Sequence, residues 1–175
     1  MRRSAQHDVR HERAQQPSSL GPTVTDAVVR LDATAKKIIE LLQEDGRISY
    51  AAIAKAVGLS EAAARARVQK LLDSDIMQVV AVTDPTQVGF TRQAMIGIRT
   101  QGDPMAVGDR LAQVDEVDYV VTTAGSFDLL VEVVCEDDPH LLEVMRQVRE
   151  LEGVVSSETF VYLKLNKQHY NWGTR

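Results

Sequence analysis

The sequence predicts an α+β chain in two units: three helices and a short strand, then a β-α-β-β-α-β sheet unit. Three observations predict it. Apolar residues recur at helical spacing from Leu31 to about Met77. From about residue 92 onward, strand-like runs alternate with helix-like ones. Asp-Pro pairs and single glycines punctuate the changes between them.

The bulk numbers set bounds on this reading. A chain of 175 residues has room for one or two domains that each bury a core. No apolar run approaches the roughly 20 residues of a membrane span. The N-terminus is polar and Arg-rich, without the apolar segment of a secretory signal. The single cysteine, Cys135, lies in the apolar run DLLVEVVCE and has no second cysteine to pair with, so strand packing is its expected role. A cytoplasmic protein without a membrane partner is expected. The net charge of −5 is unevenly spread: +2 over residues 1–30, zero over 31–83 and −7 over 84–175. A nucleic-acid surface needs local positive charge rather than a basic whole, and the N-terminal half permits it.

Residues 1–30 carry Arg2, Arg3, Arg10 and Arg13 among polar and turn-forming residues with little apolar periodicity, and read as a mobile tail. His7 and His11 are four apart, but no nearby cysteine or acidic cluster completes a metal site, so no metal is expected. Ala35, Ile38, Ile39 and Leu42 then mark a first helix whose apolar stripe needs a partner. Ala54 and Val57 mark a second. Gly58 suits the left-handed residue that ends a helix, and Ser60 can cap the next one. Ala64, Val68, Leu71 and Leu72 follow at i, i+4, i+7 and i+8. Two helices joined by a short Gly-containing turn form a helix-turn-helix. Its second helix carries Arg65, Arg67, Gln69 and Lys70 off the apolar face, side-chain types that reach phosphates and guanine edges. An Ala-rich amphipathic helix with arginines is common in any helical protein. The preceding helix, and IMQVVAV read as a wing strand, narrow the class to a winged helix-turn-helix over residues 31–83.

Asp84-Pro85 and Gly89 mark a linker over 84–91. Beyond it, Ala94–Thr100 reads as a strand. Asp103-Pro104 opens a helix with Val107, Leu111 and Val114. DYVVTTA and DLLVEVVCE flank the turn GSF as a hairpin. Asp138-Pro139 opens a second helix with Leu141, Met145, Val148 and Leu151, closed by Gly153, and VVSSETFVYLKL is the last strand. This order is the ferredoxin-like arrangement, placed over residues 92–167, with 168–175 as a C-terminal tail that carries the only tryptophan. Both parities of the strands are apolar: Val161, Leu163 and Leu165 against Phe160 and Tyr162, Val131 and Val133 against Leu130 and Val134. A sheet whose second face is also apolar points to association. A face-to-face homodimer would also bring two helix-turn-helix units to one two-fold DNA site.

The segments LDATAKKIIELLQEDGRIS, AIAKAVGLSEAAARARVQKL, DPTQVGF, TTAGSFDLLVEV and LEGVVSSET together resemble the leucine-responsive/asparagine-responsive (Lrp/AsnC, feast/famine) regulator family. The resemblance runs from about Leu31 to Lys167. It departs at Ala35 or Lys36, where many members are acidic, and at Asp75, where a glycine is usual before the wing.

The resemblance implies a transcriptional regulator binding double-stranded DNA, with an effector-sensing second domain and no other cofactor. It implies a homodimer that assembles to an octamer and responds to an amino acid or related metabolite. Carried onto this sequence, Ser60 and Glu61 start the recognition helix, with Ala62, Ala63, Arg65 and Ala66 nearest the bases and Arg67, Gln69 and Lys70 nearer the backbone. Arg67 equally suits a local ion pair with Asp73 or Glu40. The family's effector loop falls on Thr122, Thr123, Gly125, Ser126, Phe127 and Asp128, with Ser157 and Thr159 offered from a neighbouring chain. Hydroxyls and backbone N–H groups there suit a carboxylate, and Asp128 suits an ammonium. Read without the resemblance, Gly125 permits a turn and Asp128 ends it. The rival reading is a tetrapyrrole-processing decarboxylase of the same architecture, which would need His and Arg groups in the second domain. Here His140 and His169 fall in no obvious constellation and position 93 is Gln, so no catalytic residue is expected.

Overall fold

The structure is a computed structural model that describes residues 30–175. The Arg-rich tail and the His7/His11 pair lie outside the described residues. The chain divides into two units: residues up to Val80 together with Tyr170–Arg175, and Ala81–His169.

The first unit is three helices, α1 (Ala33–Glu44), α2 (Tyr50–Val57) and α3 (Glu61–Asp73). Each starts where a short polar side chain satisfies an orphan N–H of the first turn. Asp32 accepts from the Ala35 N–H at 2.7 Å, Ser49 from Ala52 at 3.2 Å and Ser60 from Ala63 at 3.3 Å. Gly58 ends α2 in the left-handed conformation, φ 69°. Ile38, Ile39, Ile53, Ala54, Ala64, Val68 and Leu71 close the core between the helices. Each fully buried isoleucine contributes about 1.5–3 kcal/mol of transfer free energy.

The strand expected at Ile76–Val82 is not formed: residues 77–84 enter no ladder, and Val79, Val80 and Val82 are exposed. An apolar β-branched run identifies chain able to be a strand, but a strand exists only with a hydrogen-bonding neighbour, and the described part of this unit offers none. Asp75, just after α3, has φ 54°, which is why a glycine would suit that place. The residues expected as a C-terminal tail return to α1. The Gly173 N–H donates to Gln43 Oε1 at 3.0 Å and the Thr174 hydroxyl to Glu40 Oε1 at 2.9 Å.

The second unit follows a 3-10 turn, Pro85–Val88. Its elements are β1 (Arg92–Thr100), α4 (Pro104–Leu111), β2 (Val117–Thr122), β3 (Leu129–Cys135), α5 (Asp138–Glu150) and β4 (Val154–Val161). The strands form one antiparallel sheet in the order β2-β3-β1-β4, the ferredoxin-like topology. Ala94, Ile96, Ile98, Leu129, Val131, Val133 and Cys135 meet Val107, Leu111, Leu141, Val144 and Val148 of the two helices in a single core. Several boundaries differ from the sequence reading, most plainly those of α5 and β4. The cap of α5 is Asp137, which accepts from the His140 N–H at 2.8 Å, one residue before the expected Asp138. β4 ends at Val161 rather than Leu165, because the chain leaves β1 after the Tyr162 N–H bonds Gln93 O, and Leu163 is 96% exposed.

Candidate nucleic-acid interface and effector loop

The burial of Ala64, Val68 and Leu71 fixes the rotation of α3. At about 3.6 residues per turn, Ala62, Ala66 and Gln69 then point directly away from the core. Arg65 and Lys70 flank them on either side, and all five are exposed. Ser60 and Glu61, at the start of the helix, are exposed too, whereas Ala63 is half-buried.

The arginines are held differently. The Arg65 guanidinium stacks over the ring of Tyr50, 4.5 Å from its centroid, which orders it without neutralising it. Arg67 turns back beside the core and pairs with Asp32, the residue capping α1. That carboxyl is held below its ordinary value chiefly by its hydrogen bond from Arg67. Neither Asp73 nor Glu40, the partners considered from sequence, takes this role. Asp73 instead accepts from Gln69 Nε2 at 2.7 Å, and Lys70 makes no ion pair among the described residues. Tyr50 was not among the residues singled out from sequence. Its signal was an aromatic at the first position of a helix, one residue after the capping Ser49.

The β2–β3 connection holds the predicted effector residues. The Thr123 N–H donates to Asp128 O at 2.8 Å and the Thr123 hydroxyl to Phe127 O at 2.6 Å. The Asp128 N–H donates to Ile98 O at 2.9 Å. Asp128 Oδ2 accepts from the Thr100 N–H at 2.7 Å and from the Thr100 hydroxyl at 3.2 Å. Thr122, Ala124, Gly125 and Ser126 are exposed. The loop thus has a pinned base and an open tip, and one oxygen of the Asp128 carboxylate is committed to β1.

Phe127 reaches from this loop over the sheet face that the helices leave open. Gly97 points its missing side chain there, opposite to Ile96 and Ile98. A Cβ at Gly97 would lie 2.6–2.7 Å from three atoms of the Phe127 ring. The ring also meets Phe160 edge-on, centroids 6.1 Å apart at 74°, and Arg99 lies 5.9 Å from its centroid. The same face carries Val121, Leu130, Met95 and Val134, with Tyr162 beside Glu132. Burial and that carboxylate push the Tyr162 phenol up to about 12.

Ser157 and Thr159 register against Ile98 and Ile96, so they lie on the opposite, helix-covered face. Ser157 accepts from Arg149 Nε at 3.2 Å, and the buried Thr159 hydroxyl has no hydrogen-bond partner among the described residues. Within one chain the structure does not bring them to the loop. Gly97 and Arg99 were missed from sequence, although a glycine inside a strand is a known sign of close approach; Phe160 was read only as part of an apolar face.

No described helix is long and apolar enough to cross a membrane, and no described cluster of His, Cys, Asp and Glu could hold a metal.

Comparison with known proteins agrees with this geometry. The AsnC-type helix-turn-helix domain matches residues 31–72, and the Lrp/AsnC ligand binding domain matches residues 93–172. The HTH-type transcriptional regulator FL11 of Pyrococcus furiosus is 31% identical over 140 residues, covering 79% of this chain and 93% of the relative. The HTH-type transcriptional regulator LysM of Sulfurisphaera tokodaii is 24% identical, covering 77% and 96%. Among solved structures, E. coli AsnC superimposes with a TM-score of 0.70 at 25% identity, covering 81% of this chain and 97% of that one. The transcriptional regulator NMB0573 of Neisseria meningitidis, solved as an L-Met complex, does so with a TM-score of 0.70 at 25% identity, covering 81% and 96%. These relatives are regulators rather than enzymes. A three-helix reader with a capped, solvent-facing third helix, followed by a ferredoxin-like ligand-binding unit, makes this chain a member of the Lrp/AsnC family of DNA-binding transcriptional regulators.

Proposed function

We propose that α3 is the recognition helix, entering the major groove with Ala62, Arg65, Ala66 and Gln69 at base edges and Lys70 on the phosphate backbone. The observation that carries this is the rotation of α3: its core stripe leaves that set outward, and Tyr50 orders the Arg65 guanidinium without removing its charge. Arg67, paired with Asp32, is assigned to packing the reader rather than to DNA. The reader spans residues 31–83, the linker 84–91 and the sensing unit 92–167.

The ligand is an amino acid or a closely related metabolite, held by the exposed tip of the 122–128 loop. Support comes from the ligand-binding family match and from the neighbour solved with L-Met. Thr123 and the backbone N–H groups of Gly125 and Ser126 take the carboxylate. The Asp128 carboxylate shapes the loop through Oδ2, which accepts from Thr100, and its Oδ1 is left for the ammonium. The open sheet face, with Phe160 44% exposed, is the surface on which a second copy docks, and such dimers build the octamer.

The test is light scattering on the full chain, alone and with each of the twenty amino acids, beside anisotropy titrations of its own promoter DNA over a salt series. A mass that moves with one amino acid and a salt-dependent DNA affinity support the reading. A fixed monomer without DNA affinity overturns it.

A further inference from the structure

We propose that Phe127 is the positioning residue through which the 122–128 loop acts on the open sheet face, its ring seated on Gly97 and released when an amino acid binds. The proposal rests on the effector reading above and deepens it by naming the coupling.

Three contacts make Phe127 a part of both places. Its carbonyl accepts the Thr123 hydroxyl at 2.6 Å inside the loop. Its ring fills the space that Gly97 leaves on β1, which is why Gly97 is buried although it faces away from the helices. The ring edge also packs on Phe160 of β4 under the Arg99 guanidinium. The next residue is fixed independently, since the Asp128 N–H is held by Ile98 O and its carboxylate by the Thr100 N–H. Movement of the loop tip therefore passes to Phe127 and stops at Asp128.

The chemistry of release follows from the donor inventory. A threonine hydroxyl has one hydrogen to donate. In the loop described here it is spent on the Phe127 carbonyl. A ligand carboxylate that takes this donor removes the bond tethering Phe127, and the ring loses its fixed seat. Gly97 is then uncovered and Phe160 loses its partner, at the centre of the surface assigned to a second copy. Coupling of this kind is reciprocal: whatever the ligand does to assembly, assembly does to ligand affinity by the same factor.

Gly97→Ala tests this without touching a loop group, because the added Cβ displaces the ring. The full chain is measured by light scattering with and without each of the twenty L-amino acids, and by calorimetry with the one that moves the wild type. The expected result is a ligand-free Gly97→Ala protein with the mass that wild type reaches only with that amino acid. It should also bind the amino acid more tightly by about fivefold or more, since displacement of the ring is already complete. A folded Gly97→Ala protein whose mass and affinity match wild type overturns the proposal.

Phe127→Ala empties the space rather than filling it, and serves if Gly97→Ala does not fold. Its ligand-free mass should also match liganded wild type, and an unchanged mass overturns the proposal. In the Phe127→Ala background Gly97→Ala should have no further effect. A full additional effect shows that residue 97 acts independently of the ring, which again overturns it. A wild type indifferent to all twenty amino acids overturns the effector reading. In that case a ligand-free Gly97→Ala or Phe127→Ala mass that differs from wild type supports the ring's role in assembly, and equal masses overturn it.

Discussion

The Asp128 carboxylate is bonded to Thr100 of the neighbouring strand through both the backbone N–H, at 2.7 Å, and the side-chain hydroxyl, at 3.2 Å. The residue that the family resemblance offers to a ligand ammonium is, in this chain, a clamp between β1 and the β2–β3 loop. Asp128→Ala should therefore lower stability even without ligand. The half-buried Thr100 N–H loses its acceptor, at a cost of about 1–3 kcal/mol. Thermal denaturation of the ligand-free protein checks this. An unchanged Tm would return Asp128 to ligand contact alone.

The three basic residues of α3 should separate in DNA titrations. Arg65→Ala should cost about 1–3 kcal/mol and relax preference at one operator position. Lys70→Ala should weaken all sequences alike and reduce the salt slope by about one. Arg67→Ala should leave the salt slope nearly unchanged, because its charge is already paired with Asp32. A full unit of slope lost at Arg67 would place it on a phosphate.

Asp75 sits at φ 54°, a conformation that costs little for glycine and more for a residue with a side chain. Asp75→Gly should raise stability by up to about 1 kcal/mol, and Asp75→Val should lower it by more than that. Chemical denaturation midpoints of the two variants read out both signs.

Arg146 bridges Glu143 and Glu150 on the exposed face of α5, each at 2.6 Å. Its hydrogen bonds pull the Glu143 carboxyl from 4.5 down to about 2. A folded pKa below the unfolded one favours the fold wherever the group is charged. The contribution is fully present above the unfolded value and disappears as pH falls towards about 2. Glu143→Gln should therefore lower Tm on the neutral side, with the difference from wild type closing as pH falls towards about 2. A parallel shift at all pH values would mean that the pair does not stabilise through charge.

What the sequence determined by itself was whatever rests on neighbours in the chain. The periodicity of Ala64, Val68 and Leu71 set which face of α3 is buried. Ser60, Gly58 and Asp103 set helix ends, because capping groups act within a turn. The β-α-β-β-α-β order followed from alternating runs and Asp-Pro punctuation, the reader from helical periodicity around Gly58 and Ser60, and the candidate effector loop came with the family resemblance. What only the tertiary structure decided depends on residues far apart meeting. The run at 76–82 has strand composition and no strand, since a ladder needs a partner that local sequence cannot supply. Arg67 chose Asp32 over nearer acids because the packing of α3 on α1 points it there. Asp128 was spent on Thr100, Phe127 came to rest on Gly97, and Ser157 and Thr159 went to the helix-covered face. Each of these outcomes is a matter of which distant elements lie alongside one another, and none is written in any single stretch of the chain.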